Sequence, residues 1–281
     1  MKIAIASGKG GTGKTTLAVN LAAALGNQAQ LLDCDVEEPN VHLFLPLVQG
    51  QKETISAPVP EVDLDRCNFC GACGQICQFS AIVPLEQTVL IFPEMCHSCG
   101  GCYLVCEPGA LRERGRELGM IDRGLSQEGV HGVYGRLRVG EAMAPPLIRA
   151  VKARMDLSRT VIIDAPPGTS CPVIAAMKGA DYVVLVTEPT PFGFHDLKLA
   201  VETVRTMKLP MGVVINRSDI GTAEVKNYCA REAIPVLLSL PYSRPVAEAY
   251  SRGQLLVKEI PGFKEQMLAL FEQISGGRQG S

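Results

Sequence analysis

The stretch Ser7-Gly8-Lys9-Gly10-Gly11-Thr12-Gly13-Lys14-Thr15-Thr16 decides the fold. It satisfies G-x-x-x-x-G-K-[ST], with an apolar run over 3–6 before it and Leu17, Leu21 and Leu25 at helical spacing after it. Strand, loop, helix is the order that a phosphate-binding loop requires. The glycines let successive backbone N–H groups converge on phosphate oxygens, and the following helix offers the positive end of its dipole. Lys14 then reaches the β- and γ-phosphates, and the Thr15 hydroxyl is offered to Mg²⁺. Gly8, Gly10, Gly11, Thr12, Gly13, Lys14, Thr15 and Thr16 are therefore the expected cradle for ATP or ADP.

Outward from this loop the chain alternates. Apolar runs over 29–32, 161–163, 182–186, 211–215 and 236–240 read as buried strands. Between most of them lie helical patterns, over 146–155, 172–178, 194–207, 222–232 and 262–274. Such alternation predicts an α/β fold: a doubly wound, mostly parallel sheet. Two of the strands end in acids, at Asp33 with Asp35 just beyond, and at Asp164. Carboxylates at strand ends suit a hard, oxygen-seeking cation.

Between 57 and 115 the pattern breaks, and Cys, Gly and Pro replace apolar periodicity. Eight of the eleven cysteines fall here, in two runs of C-x₂-C-x₂-C-x₃-C: Cys67, Cys70, Cys73, Cys77 and Cys96, Cys99, Cys102, Cys106. The two runs form an internal repeat, which predicts a small α+β insertion, with the first domain continuing over 1–56 and 116–281. The spacing is similar to that of bacterial ferredoxins, where the fourth cysteine of each run serves the other of two [4Fe-4S] clusters. One cluster is then expected on Cys67, Cys70, Cys73 and Cys106, and the other on Cys96, Cys99, Cys102 and Cys77. Zinc is the alternative, though zinc sites rarely use this triple. Gln78 follows Cys77 directly, and Pro108 stands two residues after Cys106, where bacterial ferredoxins often place Pro immediately after the fourth cysteine. The segment 117–139 reads as a small β-meander returning the chain to the sheet.

A formal charge of −2 and the absence of Trp supply neither a basic stripe nor stacking platforms, so nucleic acid is not an expected partner. No stretch approaches the length needed to span a bilayer. The opening Met1-Lys2-Ile3 runs straight into the glycine loop with no signal-peptide pattern, so a reducing cytoplasm with thiolate-bound metal is the expected setting.

The string Lys9-Gly10-Gly11-Thr12-Gly13-Lys14-Thr15 resembles the deviant Walker A motif of the MinD/ParA/Mrp family, which includes the nitrogenase iron protein. Over the whole chain the resemblance is to MinD-superfamily ATPases with an inserted ferredoxin domain. It implies that Lys9 crosses a dimer interface to the partner's phosphates, and hence a nucleotide-dependent homodimer. It implies that Asp35 orients or activates the attacking water while Asp33 supports Mg²⁺. Val161-Ile162-Ile163-Asp164-Ala165-Pro166-Pro167-Gly168-Thr169 resembles Walker B with switch II, so Asp164 is expected to hold Mg²⁺ and Gly168 to sense the γ-phosphate. Asn216 and Arg217 resemble the adenine-reading pair, with Pro241 and Tyr242 lining the base pocket. Three functions follow from the family: nucleotide-gated electron transfer to a redox partner, delivery of iron–sulfur clusters to an acceptor protein, and positioning of cargo. The first is the expectation here. A C-x-x-C pair near the C-terminus, usual in the cluster carriers, is absent, as is a basic amphipathic C-terminal helix of the MinD kind.

Overall fold

The computed structural model describes residues 1–48 and 50–276. Its strands are β1 (Lys2–Ala6), β2 (Ala29–Asp33), β3 (Gln51–Val62), β4 (Ile82–Pro84), β5 (Val89–Ile91), β6 (Leu111–Leu125), β7 (His131–Leu137), β8 (Thr160–Asp164), β9 (Tyr182–Thr187), β10 (Met211–Asn216) and β11 (Val236–Leu240). Its helices are α1 (Lys14–Leu25), α2 (Ala72–Ile76), α3 (Gly101–Leu104), α4 (Ala144–Lys152), α5 (Cys171–Met177), α6 (Pro191–Thr206), α7 (Glu224–Arg231), α8 (Arg244–Ser251), α9 (Leu256–Glu259) and α10 (Phe263–Gly276).

Nine strands form one sheet in the order β11-β10-β9-β1-β8-β2-β7-β6-β3. All pairings from β11 to β7 are parallel, and β6 and β3 add antiparallel neighbours at the edge. The central strands are short, mostly apolar runs because both their faces are covered. Ala4, Ile163, Val183 and Val213 pack under α4 to α7 on one face. Ile3, Ile5, Leu31 and Ile162 pack under α1, α8 and α10 on the other. This is the doubly wound arrangement that the alternating pattern predicts, and it brings the C-terminal ends of β1, β2, β8, β9 and β10 to one rim.

The edge holds what periodicity did not predict. β3 and β6 form a long hairpin whose inner part belongs to the sheet: β6 pairs with β7 over 119–125 and with β3 over 111–123. The pairing slips between Ile55 and Ser56, so that Leu118 is left as a bulge where the hairpin leaves the sheet. Under that point the buried side chains of Arg116 and Glu141 form an ion pair. Gly119 is obligatory here, since a Cβ would lie 2.2 Å from the Arg136 carbonyl oxygen. Beyond the bulge the two strands run on to Val62 and Leu111, passing the expected domain boundaries without a break. The cysteine module hangs on their tip.

The module repeats itself in space. Residues 29 positions apart adopt matching backbone: Phe69 and Ser98 are both left-handed (φ 56° and 55°), as are Gly71 and Gly100 (both 78°). The amide of Phe92 donates to the Ala81 carbonyl at 2.8 Å, and its counterpart Asp63 donates to Ala110 at 2.7 Å. The small β4–β5 ladder thus corresponds to the tip of the β3–β6 hairpin, in which Val62 faces Leu111 as Ile91 faces Ile82.

Candidate nucleotide pocket and cysteine hollows

The glycine loop joins β1 to α1 as the motif requires, with Gly11 and Gly13 in left-handed backbone (φ 76° and 98°). A Cβ on Gly8 would strike the backbone of Asp196 in α6 at 2.2 Å, so the loop lies flat against that helix. Lys14 is buried at the first position of α1. Burial lowers its pKa, opposed by the carboxylates of Asp164 and Asp35. Thr15 Oγ1 donates to Asp164 Oδ2 at 2.6 Å, which joins the expected cation hydroxyl to the expected cation carboxylate.

Asp33 and Asp164 face each other on neighbouring strands β2 and β8, and both are buried. Burial and the charge of Asp164 raise the pKa of Asp33 well above the carboxylate range, though backbone N–H groups of Val41 and Asp35 (both 3.1 Å) donate to it. Burial pushes Asp164 up to about 7 and Asp35 up to about 6. Three crowded acids against one lysine leave negative charge uncompensated. Asp164 Oδ1 and Thr12 Oγ1 are buried without any hydrogen-bond partner. An orphaned carboxylate oxygen beside a threonine hydroxyl fits Mg²⁺, which is held by one or two protein oxygens plus phosphates and water, not by a protein cage. In keeping with that, no three His, Cys, Asp or Glu side chains among the described residues converge on a single ion.

Other expected positions gather at the same rim. Gly168 is left-handed (φ 97°), and its N–H donates to the Ser7 carbonyl at 3.0 Å. Asn216 Nδ2 donates to the Thr12 carbonyl at 2.9 Å, tying β10 to the phosphate loop. Ser218 donates to the Leu240 carbonyl (2.8 Å), which sets Pro241 beside Arg217. Sequence reasoning missed Glu188. Its nearly buried carboxylate accepts from Arg217 Nη1 at 2.8 Å and pairs with Lys9 Nζ at 3.7 Å. Lys9 is thus held within its own chain. The available signal was an acid at the C-terminal end of a parallel strand, where ligand crevices open in such sheets.

The eight repeated cysteines line two hollows. One is bounded by Cys67, Cys70, Cys73 and Cys106, with an empty volume of about 380 Å³. The other is bounded by Cys77, Cys96, Cys99 and Cys102, with about 440 Å³. Each set takes its fourth cysteine from the opposite run. Backbone N–H groups already point at sulfur: Ala81 to Cys77 Sγ and Ala110 to Cys106 Sγ, both 3.3 Å, and Ser98 to Cys96 Sγ at 3.4 Å. Burial raises the Cys73 thiol and pushes its counterpart Cys102 up to about 11, so without a cation these sulfurs stay protonated. Zinc needs four ligands within about 2.3 Å of one centre. Sulfurs spread around a hollow instead fit a polynuclear group in which each binds its own iron. The Phe79 ring stacks on His97 (centroids 3.7 Å apart) against the second hollow. Cys171 is exposed at the start of α5, and Cys229 is buried in α7, both away from these sets.

The model of the CobQ/CobB/MinD/ParA nucleotide binding domain matches residues 3–257. The chain is a MinD/ParA/Mrp-type P-loop ATPase. An uncharacterized protein of Methanocaldococcus jannaschii, MJ0578, is 32% identical to this ATPase over 280 residues, which cover 98% of this chain and 96% of that one. A protein of Aquifex aeolicus described as an iron-sulfur cluster carrier protein is 27% identical, over 92% of this chain and 62% of its own length. Among solved structures, the septum site-determining protein MinD of Pyrococcus horikoshii, complexed with Mg-ADP, shares the fold. It aligns with a TM-score of 0.58 and 21% identity, over 97% of the ATPase and 94% of that chain. No helix among the described residues is long and apolar enough to cross a membrane.

Proposed function

We propose that this ATPase is an iron–sulfur protein in which ATP binding and hydrolysis in a homodimer are coupled to electron transfer through two [4Fe-4S] clusters. The single observation that carries this is the crossed arrangement of eight cysteines around two hollows at the tip of a hairpin continuous with the nucleotide-binding sheet. Cys67, Cys70, Cys73 and Cys106 would hold one cluster, and Cys77, Cys96, Cys99 and Cys102 the other. Two such clusters, when bound, supply storage for single electrons.

The nucleotide site does its work by placement and charge, as phosphoryl transfer requires. Backbone N–H groups from Gly10 to Thr15 cradle the phosphates, and Lys14 neutralises them. Thr15 and Asp164 would hold Mg²⁺, which lowers the charge on the reacting phosphate, and Asp33 lies beside them. Asp35, at the edge of this cluster, would orient the attacking water. Gly168 can turn its N–H to the γ-phosphate once it leaves the Ser7 carbonyl, and Lys9 reaches a partner's nucleotide only after leaving Glu188. Both changes are local, and both depend on the nucleotide. They are the means by which ATP would alter the dimer and the position of the clusters.

A second reading, delivery of clusters to an acceptor protein, is favoured by the relatives described as cluster carriers. The two separate on one preparation. Oxygen-free protein is reduced and followed by EPR with and without a non-hydrolysable ATP analogue, then mixed with an apo-acceptor. Clusters that stay bound, reduce reversibly and shift in potential with nucleotide support electron transfer. Clusters lost to the acceptor on ATP addition overturn it in favour of delivery.

A further inference from the structure

The two hollows share one plan but not one set of hydrogen-bond donors. In the hollow of Cys77, Cys96, Cys99 and Cys102, the residues Ser98 and Tyr103 line the wall, and their hydroxyl oxygens are buried without a partner. The counterparts 29 positions earlier are Phe69, on the wall of the other hollow, and Gly74, outside it; neither carries a donor side chain, and the polar side chain on that wall, Asn68, uses its Oδ1 to accept from the Cys70 amide at 3.3 Å. The backbone differs in the same sense. Backbone N–H groups reach sulfur at Cys77, Cys96 and Cys102 in the former set, and at Cys106 and Cys73 in the latter. Exposure does not offset this, because the cysteines match in pairs: Cys70 and Cys99 are exposed, and the other six are half-buried.

An added electron places more negative charge on the sulfurs of a cluster, and donors aimed at those sulfurs stabilise the reduced form. Resting on the two-cluster reading above, we infer that the clusters are unequal, with the one held by Cys77, Cys96, Cys99 and Cys102 at the higher potential because Ser98 and Tyr103 hydrogen-bond to it. An electron supplied by an external one-electron donor to the other cluster then passes inward: that cluster is oxidised by one electron as its neighbour is reduced by the same one. Charge on the singly reduced protein rests beside Phe79 and His97, which makes this side of the module the exit.

The test is an EPR-monitored redox titration of the full-length, anaerobically reconstituted protein, with dithionite as reductant and iron and sulfide content measured first. Two resolved one-electron steps are expected. Tyr103→Phe and Ser98→Ala should each lower the upper step and leave the lower one in place. The reciprocal Phe69→Ser should raise the lower step; serine already occupies that left-handed backbone at position 98. A single shared midpoint, or variants that move the wrong step or neither, overturns the inference while leaving the two-cluster reading intact. Protein that takes up zinc, or too little iron for two cubanes, overturns both.

Discussion

Glu188 accepts from Arg217 on one side and pairs with Lys9 on the other, so under the proposed function it would compete with nucleotide for Lys9. Glu188→Gln removes that competition. It is expected to strengthen ATP-dependent self-association in sedimentation velocity, whereas Lys9→Ala should abolish it; equal behaviour of wild type and E188Q would show that the pair restrains nothing. Under the proposed function Lys14 bears directly on the phosphates. Losing one charge-assisted contact there costs about 1.5–3 kcal/mol, so Lys14→Ala should weaken nucleotide binding by about ten- to a hundredfold in calorimetry. The motif residues were legible from the sequence because their chemistry demands fixed spacing. Glu188, Ser98 and Tyr103 were not, because what matters is the partner each has or lacks in space.

At the scale of elements, the cysteine module stands on the hairpin of β3 and β6, and the hairpin stands on the Leu118 bulge and the Arg116–Glu141 pair. Removing one member of a buried ion pair leaves the other charged and desolvated, at a cost of about 3–5 kcal/mol. Glu141→Ala is therefore expected to lower the midpoint of urea unfolding, by an amount well above that of Glu61→Ala, whose pair with Arg114 is exposed. Equal effects would mean that the buried pair is not a brace. The parallel strands could be read from the sequence because burial on both faces gives them continuous apolar runs. β3 could not: its opening Gln51-Lys52-Glu53-Thr54 is exposed, and an exposed strand carries no hydrophobic period. The strand therefore opens at Gln51, inside the segment 1–56 expected to belong to the first domain, with no apolar period to mark it. Helix α8, mostly exposed and opening Arg244-Pro245, escaped notice for the same reason.

For the molecule as a whole, the crowded acids at the rim set the pH response. Asp35 and Asp164 hold protons up to about 6 and about 7, while an unfolded chain releases them near 4. The folded state thus binds more protons between those limits, and stability without ligand should fall as pH rises from about 4 to about 7. Melting curves at pH 5.5 and 8 are expected to show the lower midpoint at pH 8, with Mg²⁺ and ADP restoring more there, since the cation replaces protons at the acids. A midpoint higher at pH 8 without ligand would contradict the burial of these carboxylates. The hairpin carries the wider consequence. From Ser56 to Val62 it projects seven residues past the sheet in continuous strand pairing, about 23 Å at strand rise. Under the proposed coupling, a subunit rotation of about 10° would sweep its end through about 4 Å, a lever arm that would turn small motions into distances on which electron tunnelling rates depend steeply.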